Sequence, residues 1–366
     1  MSHGGRPVTY TLIGSDGRPY SSAAPGALGG HRRSKGYGRL DCPAALRWIA
    51  KGHYVRHRVF FADEATALAA GYRPCAVCLP ERYAAWKDCA MRIRLLPRAP
   101  FDGDHLLAYL GARAVPGVET VSPGRFSRTL SLAGGPASID LRIGTEEVEA
   151  VVRTSEQRDI HEAVRRCRWL LDLDADPSAI AAALGDDPLL APLVAAHPGL
   201  RSPGAADGAE LAVRAVVGQQ ISLSGARTLL GRIAETHGSP SAGARLFPTS
   251  EQLAEIDPET LPMPRARART LAALARALCD GELDLHPGAD RERIRARLLA
   301  IRGIGPWTAD YVALRALDDP DVFIAADLGV RRALQRLGGE AGAAERWRPF
   351  RSYATHHLWA SGAAGA

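Results

Sequence analysis

Apolar residues recur at spacings of three and four in IHEAVRRCRWLLDL, AELAVRAVVGQQISLSGARTLLGRIAET and RERIRARLLAI. All three stretches lie beyond residue 157, and that period predicts helices. Between residues 90 and 155 the period shortens. MRIRLLP (91–97), RFSRTLSLAG (125–134) and ASIDLRIG (137–144) read as strands separated by turn residues, with one helix near DGDHLLAYLGARA (102–114). Residues 1–88 hold neither period for long; they are Gly-rich, basic and aromatic. Pro and Gly punctuate the helical region at AAHPGLRSPGAADG, HGSPSAG, LPMP and HPGAD, and the tail SGAAGA (361–366) reads as loose. The pattern predicts a multidomain chain: a small α+β unit over 1–88, an α+β subdomain over 90–155 and an all-α region over 156–366.

Composition supports packed cores. Apolar residues make up 46% of the 366 residues and charged residues 23%, which excludes wholesale disorder and a disulfide scaffold. No run of 18 apolar residues occurs, so no membrane partner is expected. The start, MSHGGRPVTYTLIG, lacks the charged and apolar segments of a secretory leader, and the expected compartment is a reducing cytoplasm. The net charge of +6 is unevenly spread: residues 1–90 carry +7 and the remainder −1. A basic N-terminal region fits a polyanionic partner. Lys35, Lys51 and Lys87 are the chain's lysines; none follows.

Three of the six cysteines lie in the first region. Cys75-Ala-Val-Cys78 is a C-x-x-C, and Cys42 lies upstream. Such a knuckle suits tetrahedral zinc, whereas a redox pair would be expected beside a βαβ pattern that is not seen here. The segment FFADEATALAAGYRPCAVC (60–78) resembles the zinc-binding N-terminal domain of the Ada methyltransferases. The resemblance covers about 60 residues and implies zinc at Cys42, Cys75 and Cys78. It also implies a thiolate that accepts a methyl group from a DNA phosphotriester. Gly38 stands at that position, so the acceptor is missing and the zinc is expected to be structural. A histidine would complete the site, His57 first and His31 second.

The helical region carries LLAIRGIGPWTADY (298–311), read as helix, Gly-x-Gly turn and helix with Pro306 in the first turn. The two glycines, Gly303 and Gly305, are expected to take positive φ, and the helix start to offer N–H groups to a phosphate. Downstream lies DVFIAADLGVRR with Asp327, which by itself reads as a helix cap. Hairpin plus aspartate resembles the helix–hairpin–helix DNA glycosylases, nearest the 3-methyladenine DNA glycosylase II (AlkA) type. RAVPGVETV (113–121), HPGLRSPGAADGAELAVRAVVGQQIS (197–222) and RWRPFRSYATHHLW (346–359) extend the resemblance over about residues 91–360.

That resemblance implies an enzyme acting on double-stranded DNA with damaged bases. Asp327 becomes the catalytic carboxylate, which stabilises the cationic sugar as the N-glycosidic bond breaks. Trp307, Tyr311 and Trp359 become the pocket for the flipped base, stacking on cationic alkylpurines. Gln220 replaces the aliphatic wedge of the family, and Gly303, Gly305 and Thr308 belong to the DNA-binding hairpin. Bifunctional relatives carry a lysine two residues after the second hairpin glycine. Trp307 stands there, so base removal without strand cleavage is expected. A monovalent or magnesium ion at the hairpin carbonyls is implied, a catalytic metal is not, and a monomer near the nucleoid is expected. Two other readings stay open: a non-catalytic DNA-damage-binding protein, and an oxidised-purine glycosylase on the same fold.

Overall fold

A computed structural model describes residues 9–241 and 243–363. The first eight residues, on which part of the leader reading rests, and residues 364–366 of the expected loose tail lie outside the described residues. The elements of the N-terminal region are β1 (Tyr10–Ile13), β2 (Pro19–Ser22), β3 (Leu28–His31), β4 (Gly36–Arg39), α1 (Pro43–Ala50), β5 (Arg58–Phe61), α2 (Glu64–Ala69), β6 (Arg73–Pro74) and α3 (Pro80–Lys87). Next come β7 (Ala90–Leu95), α4 (Gly103–Arg113), β8 (Glu119–Ser122), β9 (Arg125–Leu132), β10 (Gly135–Ile143) and β11 (Val148–Thr154). The helical part holds α5 (Ile160–Leu170), α6 (Pro177–Leu184), α7 (Ala191–Ala196), α8 (Gly208–Val217), α9 (Leu223–His237), α10 (Ser250–Ala254) and α11 (Arg265–Cys279). It ends with α12 (Arg291–Ala300), α13 (Pro306–Ala316), α14 (Leu328–Arg336) and α15 (Arg351–Ala363). The last helix takes in residues 361–363, so this part of the tail is ordered helix rather than loose chain.

The chain divides into two compact units: residues 1–95, 132–140 and 149–167, and residues 96–131, 141–148 and 168–366. In the first unit a four-stranded sheet runs in the order β5-β3-β4-β6, with β3 antiparallel to both β4 and β5. Gly30 lies in β3 because a Cβ there would meet the Phe61 ring at 2.7 Å. The strands of residues 90–154 follow the order β7-β11-β10-β9-β8. Two of them, β8 and β11, escaped the sequence reading. β11 nevertheless alternates in the expected way, with Val148, Ala150 and Val152 buried.

The second unit is built around α8, which packs on α9, α11 and α13. Leu211, Val216, Leu271, Leu298, Ala309 and Val312 meet in that core. A satellite core beneath α14 and α15 gathers Val330, Leu334, Trp347 and Leu358. The long helical pattern over residues 209–236 divides in two. α8 stops at Gly218, and Ser222 caps α9 by accepting the Gly225 N–H at 3.1 Å. The intervening Gln220 sits at φ 56° in the left-handed region, a strained place for a residue with a side chain.

Candidate functional site

α12, a tight turn and α13 form the expected hairpin. Gly303 takes φ 95°, and a Cβ there would lie 2.1 Å from Thr270 Oγ1, so glycine is required twice over. Gly305 differs from expectation. It is extended at φ −99° and ψ 177° as the cap residue of α13, followed by Pro306. The hairpin is held from behind: Thr270 Oγ1 donates to the Arg302 carbonyl at 2.9 Å, and Gln219 Nε2 donates to the Gly303 carbonyl at 3.1 Å. Thr308 faces inward. It is 3% exposed and its hydroxyl accepts from Gln219 Nε2 at 2.9 Å, so it braces the hairpin and does not offer its side chain to a ligand. Gln219 therefore has a bracing role that its sequence position alone did not reveal.

Asp327 is the cap residue of α14, and its Oδ1 accepts the Val330 N–H at 3.0 Å. The carboxylate that caps α14 also lines the cavity described below. The same Oδ1 accepts from Trp359 Nε1 at 2.9 Å, and Oδ2 accepts from Trp307 Nε1 at 2.9 Å. Among the described residues, no arginine or lysine pairs with it. Two carboxylates near it in sequence behave otherwise: Asp310 pairs with Arg295 at 2.7 Å and Asp321 with Arg351 at 2.7 Å. Gly329 makes room for this arrangement, since a Cβ there would come within 3.1 Å of Asp327 Oδ1 and 3.2 Å of Trp359 Cδ1.

The Trp307 and Tyr311 rings lie one helical turn apart on α13 and stack at 5.3 Å and 9°. Tyr311 meets Trp359 at 6.3 Å and 55°. These groups and Asp327 line a cavity of about 600 Å³, large enough for a purine with its sugar. Arg315, 5% exposed, donates to both Tyr109 Oη at 2.8 Å and Tyr311 Oη at 3.0 Å. Burial alone would raise the Tyr311 phenol. The charges of Arg315, Arg113 and Arg214 outweigh it and hold the group below the ordinary tyrosine value. The far wall is a buried network. Arg128 bridges Glu119 at 3.0 Å and Glu210 at 2.5 Å, and Arg214 bridges the same pair at 2.6 and 3.0 Å. Burial would raise Glu119, yet Arg214 and Arg128 hold it down at about 2. Glu119 and Glu210 are thus engaged by arginines, whereas among the described residues Asp327 pairs with no arginine or lysine.

Gln220 is exposed on the α8–α9 turn, and Ile221 and Leu223 beside it are 40% and 45% exposed while lining the cavity. These two apolar residues were missed in the sequence because helical periodicity assigns them to a buried face.

In the first unit Cys42, Cys75 and Cys78 come together, their sulfurs within 4.8 Å of one another and Cys42 4.0 Å from Cys75. His57 is not part of this group; its ring packs edge-on against His31 at 5.5 Å. The expectation of His57 as a ligand is not met by this geometry: His57 ends the short turn Val55–His57 before β5, and its ring lies against His31 rather than among the thiols. Position 38 points into the cluster, where a Cβ on Gly38 would meet Cys78 Sγ at 2.5 Å. A cavity of about 270 Å³ opens there, and Arg39, Arg58 and Arg73 line it.

Two protein families match the chain. The AlkA N-terminal domain covers residues 92–207, and the HhH-GPD superfamily of base excision DNA repair proteins covers residues 213–347. The chain belongs to the AlkA-type helix–hairpin–helix DNA glycosylase family. Escherichia coli DNA-3-methyladenine glycosylase 2 is 36% identical over 289 residues, covering 71% of this chain and 94% of that protein. The Mycobacterium tuberculosis probable bifunctional transcriptional activator/DNA repair enzyme AlkA is 47% identical over 278 residues, 73% of this chain. The chain spans about half the length of this relative, 56%. A 3-methyladenine DNA glycosylase structure from Archaeoglobus fulgidus shares the fold, with TM-score 0.64 and 23% identity over 74% of this chain and 98% of that one.

Proposed function

We propose that the protein is a monofunctional DNA glycosylase that removes alkylated purines of the 3-methyladenine kind from double-stranded DNA, with Asp327 as its catalytic carboxylate. The observation that carries this reading is the unpaired carboxylate of Asp327, held by two indole N–H groups at 2.9 Å in a cavity of purine size.

The chemistry follows from that geometry. The hairpin at Gly303 and Gly305 receives a backbone phosphate, and Gln220 enters the space the flipped base leaves. The base lies against Trp307, Tyr311 and Trp359, where an electron-rich indole favours a cationic purine. As the glycosidic bond breaks, its electron pair leaves with the base and positive charge gathers at C1′. Asp327 opposes that charge and orients the water that attacks C1′, whose proton passes to the carboxylate or solvent. With both oxygens fixed by donors, the carboxylate meets the transition state without having to reorganise. No lysine follows residue 87, so no Schiff base forms in the helical region and the product is an intact strand with an abasic site.

In this reading residues 1–88 are a zinc unit, residues 90–155 an α+β subdomain and residues 156–366 the glycosylase core. Three clustered thiols suit zinc, and the glycine at 38 leaves the side of the cluster where a side chain would intrude open to the cavity. Zinc there holds the small unit folded. An ion at the hairpin would use carbonyls at Arg302 and Gly303 that already accept one hydrogen bond each. The protein would act as a monomer on nucleoid DNA in the cytoplasm. Among the described residues no helix is long and apolar enough to cross a membrane.

The test is incubation with duplex DNA carrying 7-methylguanine or 3-methyladenine, followed by assay of free base and abasic sites. Free base with uncleaved strands supports the proposal. Tight binding without base release would favour the damage-binding alternative.

A further inference from the structure

We propose a metal site at Asp102, His105 and His197 that takes a divalent transition ion of the Zn²⁺, Ni²⁺ or Co²⁺ kind. It depends neither on the glycosylase reading nor on zinc at the thiols. One oxygen and two imidazole nitrogens, one from each residue, lie within 4.8 Å of one another. His197 Nδ1 is 3.2 Å from Asp102 Oδ2. Donors about 2.1 Å from a tetrahedral ion stand roughly 3.4 Å apart, so this edge already has the right length. The His105 and His197 rings are 5.1 Å apart and inclined at 53°, converging without stacking.

The backbone builds this convergence. Asp102 is the cap residue of α4, and its Oδ1 accepts the His105 N–H at 3.0 Å, which leaves Oδ2 for the third partner. His197 closes α7, its N–H bonded to the Leu193 carbonyl at 3.2 Å. The two segments are tied directly: the Asp102 N–H donates to the Gly199 carbonyl at 3.2 Å. Gly199 permits that approach, because at φ 79° a Cβ would lie 2.4 Å from the Pro100 backbone. The side chains of His197 and Asp102 are 35% and 20% exposed, which leaves an ion a path from solvent. Behind them His357 is 3% exposed, and its Nδ1 has no hydrogen-bond partner.

Two nitrogens and one carboxylate oxygen favour borderline divalent ions over Mg²⁺ or Ca²⁺, which prefer oxygen alone. Binding replaces the proton shared between His197 and Asp102, and that proton leaves to solvent. The ion then clamps the start of α4 to the end of α7. Since α4 also carries Leu110 and Arg113 of the cavity wall, the clamp steadies the pocket.

The experiment uses the full chain, stripped of metal under reducing conditions, dialysed against Co²⁺ and analysed for bound metal. Asp102→Asn keeps a good cap while removing the anionic donor, and His197→Gln removes a nitrogen. The thiolate-to-cobalt charge-transfer band monitors the cysteine cluster separately, because a nitrogen and oxygen site gives weak d–d bands alone. The expected result is the loss of one metal equivalent per chain in each variant, with unchanged helical content and an unchanged charge-transfer intensity. The metal-dependent rise in melting temperature should shrink in both. Equal stoichiometry and equal thermal shift in wild type and variants would overturn the proposal, as would a wild type that binds no metal beyond the thiolate site.

Discussion

The indole Nε1 of Trp307 donates to Oδ2 of Asp327 at 2.9 Å. A side chain that the resemblance assigns to base stacking thus holds the carboxylate in place as well. The two roles separate by substitution. Trp307→Phe keeps an aromatic face and removes the donor. A hydrogen bond to a charged group contributes about 1.5–3 kcal/mol, so base release should slow by roughly 10- to 100-fold. DNA affinity should change little. Single-turnover rates beside equilibrium binding check this, and equal losses in both would mean that the ring acts by stacking alone.

The hairpin predicts a different signature. Gly303→Ala places a Cβ against Thr270 and demands a left-handed backbone from alanine. Strain of this kind costs about 1–3 kcal/mol. Affinity for undamaged duplex should fall along with affinity for damaged duplex, because in the proposed reading the hairpin grips phosphate and not the base. Fluorescence anisotropy with both duplexes measures it.

Acid should act through the buried network. Glu119 is held at about 2 in the folded chain, against an ordinary value of 4.5. A depressed carboxylate stabilises the fold above its unfolded value, and that contribution is lost as pH falls from about 4.5 through about 2. The shift corresponds to about 3 kcal/mol. Glu119→Gln should flatten the pH dependence of urea unfolding in this window. At neutral pH it should cost about 3–5 kcal/mol, because Arg128 and Arg214 lose a partner in a buried setting.

The thiol cluster gives a prediction independent of glycosylase chemistry. Protein purified under reducing conditions should carry zinc, and Cys75→Ser should release it. With Gly38 in the acceptor position, no labelled methyl group should reach Cys42, Cys75 or Cys78 from methylated DNA. Metal analysis and mass spectrometry decide the two parts separately.

Much of this was legible in the sequence where a local rule fixes the outcome. The helix of residues 103–113, the hairpin and the strand cores followed from period and from Gly and Pro placement. The assignment of Asp327 and its aromatic neighbours to the site rests on resemblance, since by residue type alone Asp327 reads as a cap, which it is. What stayed hidden depends on tertiary approach. Thr308 turned out to brace the hairpin because Gln219 reaches it from a segment 89 residues away in sequence. His57 stands outside the thiol cluster because the turn Val55–His57 sets its ring against His31. Gly305 needed no positive φ, since a cap residue is extended.

The central claim is that Asp327 performs the chemistry. Asp327→Asn preserves helix capping and removes the charge. Single-turnover release of free 7-methylguanine from a defined duplex should fall at least about 100-fold, while affinity for that duplex stays within about threefold of wild type. Release at near-wild-type rates by the variant would contradict the account.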